Sequence, residues 1–127
     1  MMLRAVHTAA EFEREVRQLK RRFPLVSNQV RGLVSQLRNG DLPGDRVPEM
    51  FMRTYKVRLP NPSARRGKSG GFRVYYAVGQ SDMIYLVTIY SKTDQDDANA
   101  YEVQQRIQRM DRELSGKSSG ERYSDLD

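Results

Sequence analysis

The chain has 127 residues, about the length of one domain, and carries a formal net charge of +6 with a pI of about 9.8. This charge favours nucleic acid, an acidic protein or an anionic surface as a partner. The chain has no cysteine, which excludes a disulfide framework, a thiolate nucleophile and a cysteine zinc site. No apolar run approaches the roughly 20 residues that span a bilayer, and residues 1–7 lack the apolar core of a signal peptide. We therefore expect a cytoplasmic protein without a membrane partner.

The first third of the chain predicts two helices. A first helix over about 9–22 is indicated by apolar residues at helical spacing and by a capping box of Thr8 and Glu11. A second helix follows, with Ser27 as its N-cap and Gly40 at its C′ position. Because few residues separate the two helices, they are expected to form an antiparallel hairpin.

Three strands are predicted in the middle of the chain. Alternating apolar side chains indicate strands at about 51–59 and 72–78, and an apolar run indicates a third at 83–90. The third strand is apolar on both faces, so it should be covered on both sides. Residues 2–7 are a candidate edge strand, and 41–48 is expected to be a loop.

A third helix ends the predicted fold. Its apolar residues recur up to Leu114, and Thr93–Asp96 resembles a capping box at its start. The predicted fold class is α+β, with an N-terminal helix hairpin packed on one face of a small antiparallel sheet, followed by a C-terminal helix. We expect residues 1–114 to form a single domain and the Gly- and Ser-rich residues 115–127 to form a flexible tail.

Basic residues cluster on one face of the predicted sheet. Strand alternation places Lys56, Arg58 and Arg73 together, opposite the apolar face. Between residues 50 and 81 there are seven basic residues and no acidic one. Since clustered cations repel one another, a polyanion bound to this face would relieve the repulsion. The helices are expected to cover the apolar face and to leave the basic one open.

Three blocks of sequence resemble a known family. They are Tyr55-Lys56-Val57-Arg58-Leu59, Gly67-Lys68-Ser69-Gly70-Gly71-Phe72-Arg73-Val74 and Tyr90-Ser91-Lys92-Thr93-Asp94-Gln95-Asp96-Asp97. Together, in this order, they resemble the RelE/ParE superfamily of bacterial type II toxins, in particular members with a KSGG-aromatic-Arg-Val motif. The resemblance runs from about residue 12 to residue 114 in the order of the elements.

The resemblance implies a function and partners. Members that cleave RNA do so on the translating ribosome, without a metal or another cofactor, through basic residues on the open sheet face. It thus implies an mRNA endoribonuclease whose partners are the ribosome, mRNA and an antitoxin, which we expect to be acidic and partly disordered. The catalytic candidates are Lys56, Arg58, Arg73 and Lys92. Thr93 stands where well-studied members have a second arginine, and Tyr101 is the nearest counterpart of their C-terminal tyrosine.

The residue types suit RNA binding and cleavage. Arg73 can clamp a phosphate with two hydrogen bonds. Lys56, lying among other cations, can act either as a base or as a plain phosphate contact. The further candidates for RNA or phosphate binding are Arg65, Arg66, Lys68, Tyr75 and Tyr90; the ring of Tyr75 either stacks on a base or packs across strands. Two alternatives remain open: a gyrase-poisoning toxin of the same superfamily, and a non-catalytic basic RNA-binding module.

Overall fold

The structure is a computed structural model that describes residues 3–62 and 70–115. Its helices are α1 (Ala10–Lys20), α2 (Val26–Arg38) and α3 (Ala100–Leu114). Its strands are β1 (Val6–Thr8), β2 (Asp45–Val47), β3 (Thr54–Leu59), β4 (Phe72–Val78) and β5 (Ile84–Ser91). They form one sheet in the order β1-β5-β4-β3-β2, in which β1 and β5 are parallel and all other neighbours are antiparallel. The predicted α+β class is confirmed.

The three predicted strands form the centre of this sheet. Every residue of β5 is buried, as expected for a strand that is apolar on both faces. The candidate strand at 2–7 is the short edge strand β1. Strand β2 was not predicted, because its three residues are polar or half-exposed and leave no apolar pattern. Pairing with β3 creates this strand inside the segment expected to be a loop.

The helix hairpin covers one face of the sheet, as predicted. Phe23, which follows α1, packs edge-on against Phe72 of β4, with the ring centroids 5.5 Å apart. On the same face, the ring of Tyr76 stacks on Tyr55, and its hydroxyl donates to the carbonyl of Pro43, which lies beyond α2. Alternation along β4 and its register with β3 place Phe72, Val74 and Tyr76 on this face, and the pairing of β4 with β5 shifts by one residue between Tyr75 and Tyr76.

Helix α3 covers half of the opposite face, which the sequence analysis expected to stay open. The Tyr85 hydroxyl of β5 donates to Asp111 of α3 over 2.9 Å. Its neighbours across the sheet, Ala77 and Thr54, are fully buried. The apolar stripe of α3 needs a surface to bury, and α1 and α2 already occupy the other face. On the sheet face that carries Lys56, Arg58 and Arg73, the part that α3 leaves uncovered is therefore the end with Arg58 and Arg73.

The predicted helix caps were wrong. Thr8 belongs to β1 and donates to Glu13, and Ala9 precedes α1 without a side-chain cap. Helix α2 begins at Val26, so Ser27 lies inside its first turn. The cap of α3 is Asn99, which accepts from the Glu102 amide over 3.0 Å, six residues after the predicted Thr93.

Gly40 was predicted to end the second helix, and residues 115–127 were predicted to form a tail. Gly40 ends α2 in the left-handed region, at a φ of 99°, as expected for a C′ glycine. The predicted tail lies outside the described residues apart from Ser115, and so does most of the basic loop before β4. Within the described ranges, none of the helices has the length and apolar character needed to cross a membrane.

Candidate functional site on the basic face

The sheet register brings the basic residues into two rows. Arg58, Arg73 and Tyr90 pair across β3, β4 and β5. The next row inward holds Lys56, Tyr75 and Thr88. Paired residues on neighbouring strands share a face, so the predicted clustering of Lys56, Arg58 and Arg73 is confirmed. We use the name basic face for the sheet surface formed by these two rows.

Two glycines bring Lys92 to the same end of the sheet. Gly71 has a φ of 72°, and a Cβ atom there would overlap the carbonyl oxygen of Leu59. Its own carbonyl accepts from the Lys92 amide over 2.9 Å. At Gly70 a Cβ atom would overlap the Lys92 side chain, and the Gly70 carbonyl accepts from Arg73. Only glycine permits this approach, so the glycine pair places Lys92 beside Arg73.

Asp97 supplies a carboxylate at the centre of the basic face. Its Oδ1 atom accepts from the Tyr75 hydroxyl at 2.6 Å and from the Tyr90 hydroxyl at 3.2 Å. The same atom accepts from the Ala98 amide at 2.9 Å and lies 3.4 Å from the Lys56 ammonium. These contacts, led by the hydrogen bond from Tyr75, lower the pKa of Asp97 to about 2.

Asp97 was not among the site residues predicted from the sequence. It follows β5 by six positions, and its contacts are up to 41 residues distant in the chain, so no local pattern connects them. The absence of acidic residues between 50 and 81 suggested cations without a partner. The carboxylate comes from outside that segment, and the last residue of the quoted Tyr90–Asp97 block was the available signal.

Both tyrosines of the site are buried. Tyr75 is 5 % exposed and Tyr90 is 6 % exposed, so neither ring offers a face on which a base could stack in this structure. Burial, reinforced by the charge and hydrogen bond of Asp97, raises the pKa of Tyr90 to about 12, and burial with the hydrogen bond to Asp97 also raises the pKa of Tyr75. Both phenols therefore stay protonated and donate to the carboxylate.

The surroundings of Lys56 differ from those expected. Its ammonium group lies 3.4 Å from Asp97 and 5.7 Å from the centre of the Tyr75 ring. A lysine acts as a base most readily where its neighbours are cations, because they favour its neutral form. With a carboxylate and an aromatic ring beside it, a phosphate contact is the role that its environment favours.

The remaining candidates divide between the site and other places. Arg58 is exposed and Arg73 is half-buried, while Lys92 donates to the Asp96 carbonyl. Thr93 is exposed and shares a hydrogen bond with Ser91 over 2.8 Å. Tyr101 is 72 % exposed in the first turn of α3. Arg65, Arg66 and Lys68 lie outside the described residues.

A polar cavity of about 400 Å³ lies next to the site, between α1, α3 and β5. Strand β1 ends before it and leaves the second half of β5 without a strand neighbour on that side. Glu15 accepts from the Thr88 hydroxyl and the Ile89 amide, and Arg106 donates to the Val87 carbonyl. These two side chains also form an ion pair of 3.0 Å. Together they provide hydrogen-bond partners for polar groups on the unpaired edge of β5 inside the cavity.

The described part of the chain offers no obvious place for a metal ion. There, no three His, Asp or Glu side chains are grouped so that they could hold a metal ion. Among the described residues, the basic face brings together Lys56, Arg58 and Arg73, with the carboxylate of Asp97 beside Lys56.

The helix hairpin, the five-stranded sheet and α3 together define a RelE-like fold. A solved structure of the Escherichia coli toxin RelE, a double arginine-to-alanine mutant in the free state, is similar to the chain with a TM-score of 0.56. The similarity covers 86 % of this chain and 99 % of that chain at 14 % sequence identity, and at this identity it shows the fold alone. No protein-family model and no curated protein matches the chain.

Proposed function

We propose that the chain is the toxin of a type II toxin–antitoxin module, of the KSGG-aromatic-Arg-Val subgroup of the RelE/ParE superfamily, and that it cleaves mRNA on the ribosome. The observation that carries the proposal is the cross-strand pair of Arg58 and Arg73 on the part of the basic face that α3 leaves uncovered. The RelE-like fold supports the assignment to toxins.

The arginine pair suits an RNA backbone. Like charges directly opposite each other on neighbouring strands destabilise a sheet, and a bound phosphate would turn this repulsion into attraction on both sides. Each guanidinium offers a planar fork of donors that matches two phosphate oxygens. Lys56 adds an ammonium group from the next row. Rigid strands hold all three side chains, which favours a site with fixed geometry.

Cleavage through the ribose 2′-hydroxyl sets three chemical requirements. A proton must leave the 2′-oxygen, charge on the phosphoryl oxygens must be stabilised, and a proton must reach the leaving 5′-oxygen. We assign the charge stabilisation to Arg58, Arg73 and Lys56, and the donation of a proton to the leaving 5′-oxygen to the Lys92 ammonium, while the 2′-hydroxyl releases its proton to water. In this scheme protein cations supply the positive charge, and the reaction needs no metal ion.

We further propose that an acidic, partly disordered antitoxin silences the toxin by binding over the basic face. Such a segment can wrap a large surface as it folds on its target. Purification from cells that carry the native operon should yield a complex that weakens as salt is raised, because exposed charge pairs are screened. A toxin that is recovered alone and is harmless when expressed would contradict this part of the proposal.

The deciding experiment is induced expression of the chain and of its Arg73→Ala variant, followed by mapping of mRNA ends. We expect new ends within translated regions for the unchanged chain and their loss in the variant. The control is Arg112→Ala, which removes the same charge from an exposed position on α3. Broken chromosomal DNA without new mRNA ends would indicate a gyrase poison. Inhibited translation without new ends would indicate a non-catalytic RNA-binding module.

A further inference from the structure

Asp97 presents an unshared acceptor on the basic face. All four contacts to its carboxylate involve Oδ1, and no hydrogen bond from the described residues reaches Oδ2. The side chain is 57 % exposed, in contrast to the two tyrosines that hold it. A carboxylate oxygen accepts hydrogen bonds and cannot donate them while it is ionised. Asp97 Oδ2 is therefore a hydrogen-bond acceptor beside Lys56, on a surface whose other charged side chains are positively charged hydrogen-bond donors.

The segment that carries Asp97 is held at several points. Arg22, two residues beyond the end of α1, donates to Asp94 through both terminal guanidinium nitrogens. The side chain of Gln95 donates to the Asp97 carbonyl over 2.9 Å, and Asn99 caps α3 just beyond. With Oδ1 held by the two phenols as well, the carboxylate has a defined position with respect to the strands.

A carboxylate at this place has a cost for phosphate binding. It repels the backbone of any nucleic acid that lies on Arg58 and Arg73. When a bound partner offers no hydrogen-bond donor, Oδ2 is also left without a hydrogen bond, and this weakens binding. The ribose of RNA provides such a donor directly beside the phosphate, in its 2′-hydroxyl, whereas deoxyribose does not. An acceptor that is favourable only with one ligand gives specificity through the penalty on the other.

We propose that Asp97 selects RNA over DNA by accepting a hydrogen bond from a ribose 2′-hydroxyl at Oδ2, while Arg58 and Arg73 hold the adjacent phosphate. This inference rests on the proposed function, since it takes RNA as the ligand. Asp97 serves as an acceptor and not as the base, because a group with a pKa of about 2 withdraws a proton from a hydroxyl poorly at neutral pH.

The test compares oligonucleotides that differ only at the 2′ position. A short single-stranded oligouridine is compared with its 2′-deoxy and 2′-fluoro forms, which cannot donate from that position. Affinities of the purified toxin are measured by fluorescence anisotropy at constant salt. Because the proposed cleavage needs the ribosome, free oligonucleotides report binding. We expect the toxin to bind oligouridine about tenfold more tightly than either analogue, the effect of one hydrogen bond to a charged group.

Two variants separate the hydrogen bond from the charge. Asp97→Asn should bind the two analogues more tightly and should reduce the preference for oligouridine to near one. The matched control is Asp96→Asn, which removes the same charge from an exposed neighbour. It should strengthen the binding of all three ligands alike and leave the preference unchanged. An Asp97→Asn variant that keeps the full preference would show that Asp97 only holds the tyrosines, and would overturn the inference.

The unchanged toxin alone can also overturn the inference, should the variant fail to fold. Equal affinity for oligouridine and its 2′-fluoro form would do so, as would a failure to bind any of the three. These results are independent of the mapping of mRNA ends. A toxin that prefers oligouridine but produces no ends in cells would contradict the cleavage proposal and leave the role of Asp97 standing. New ends in cells without a 2′-hydroxyl preference would do the reverse.

Discussion

Arg58 of β3 lies directly opposite Arg73 of β4, on the face of the sheet that the helix hairpin does not cover. Few arrangements on an antiparallel pair are less favourable for stability, because the two guanidinium groups repel each other across the strands. The pair is supported on one side by the carbonyl of Gly70, which accepts from Arg73. Its geometry suits a ligand with several anionic oxygens, because each guanidinium can donate two hydrogen bonds to it.

Arg73→Lys should abolish most of the toxicity. Lysine keeps the charge but loses the planar fork and its contact with the Gly70 carbonyl, so it is not conservative at this site. Toxicity is measured as growth after induction, and RNA cleavage as the rate at saturating ribosome. Arg112→Lys on the exposed surface of α3 serves as the control and should remain fully toxic. An Arg73→Lys variant with unchanged toxicity and cleavage rate would contradict the proposed clamp.

Arg65→Ala or Arg66→Ala should mainly weaken binding to RNA or ribosomes. The sequence predicts that these residues lie in a basic loop before β4 and make phosphate contacts without a part in the chemistry. Each lost contact should reduce the slope of log affinity against log salt by about one unit of charge. The measurement is a salt titration of RNA affinity beside the cleavage rate at saturation. A large loss of rate at saturation, with an unchanged salt slope, would assign the loop a catalytic role.

Local patterns in the sequence identified the strands and their two faces. The alternation at Lys56 and Arg58, together with Arg73, sufficed to place three basic residues on one surface, because side-chain direction in a strand follows from position alone. Apolar residues at helical spacing and the short connection between them likewise predicted the helix hairpin. These predictions depend on neighbours in the chain, and the structure confirms them.

The position of α3 and the role of Asp97 depend on contacts that are distant in the chain. Helical periodicity shows that α3 has an apolar stripe, but it does not indicate which layer of the protein the stripe covers. Likewise, nothing near Asp97 in the sequence indicates that Tyr75 and Lys56 converge on its carboxylate. Both features reduce the open area of the basic face, so the sequence analysis overestimated that area.

The conformation of Gly71, just before β4, should make the free energy of unfolding sensitive to substitution there. Gly71→Ala should lower the free energy of unfolding by about 2 kcal/mol or more, since a positive φ and an overlap with the Leu59 carbonyl oppose a Cβ atom. Urea denaturation measures the change. Gly32→Ala is the control, because Gly32 is exposed inside α2 with no atom within 4 Å of the added Cβ. It should raise the free energy of unfolding by about 0.5–1 kcal/mol.

Asp97 makes the stability of the fold depend on pH in acid. Its pKa is about 2 in the folded chain and has an ordinary value of 3.8 without these contacts. The ionised carboxylate therefore contributes stability that is complete above the ordinary pKa and is lost as the pH falls through the folded pKa. Asp97→Asn should be less stable than the unchanged chain at about pH 5, and the difference should shrink toward about pH 2. Urea denaturation across this range would contradict the assignment if the difference stayed constant.

Glu15 accepts hydrogen bonds from the half of β5 that lacks a strand neighbour, and its loss should destabilise the protein. Glu15→Ala removes the acceptor of the Thr88 hydroxyl and the Ile89 amide, and it leaves Arg106 without its carboxylate. Groups that are left unpaired in a partly buried place cost about 1–3 kcal/mol in the free energy of unfolding. The freed sheet edge should also promote association between copies, which light scattering measures during storage at high concentration.

The matched control for this prediction is Glu11→Ala. Glu11 also joins α1 to α3, through its ion pair with Arg109, but it accepts no hydrogen bond from β5 among the described contacts. Its removal should cost less, since a partly exposed pair contributes about 1 kcal/mol or less. If the two variants lose equal stability and neither associates, the bonds from Glu15 to the strand add nothing beyond the link between the helices. A larger loss for Glu15→Ala, accompanied by association, would assign Glu15 to closing the sheet edge that β1 leaves open.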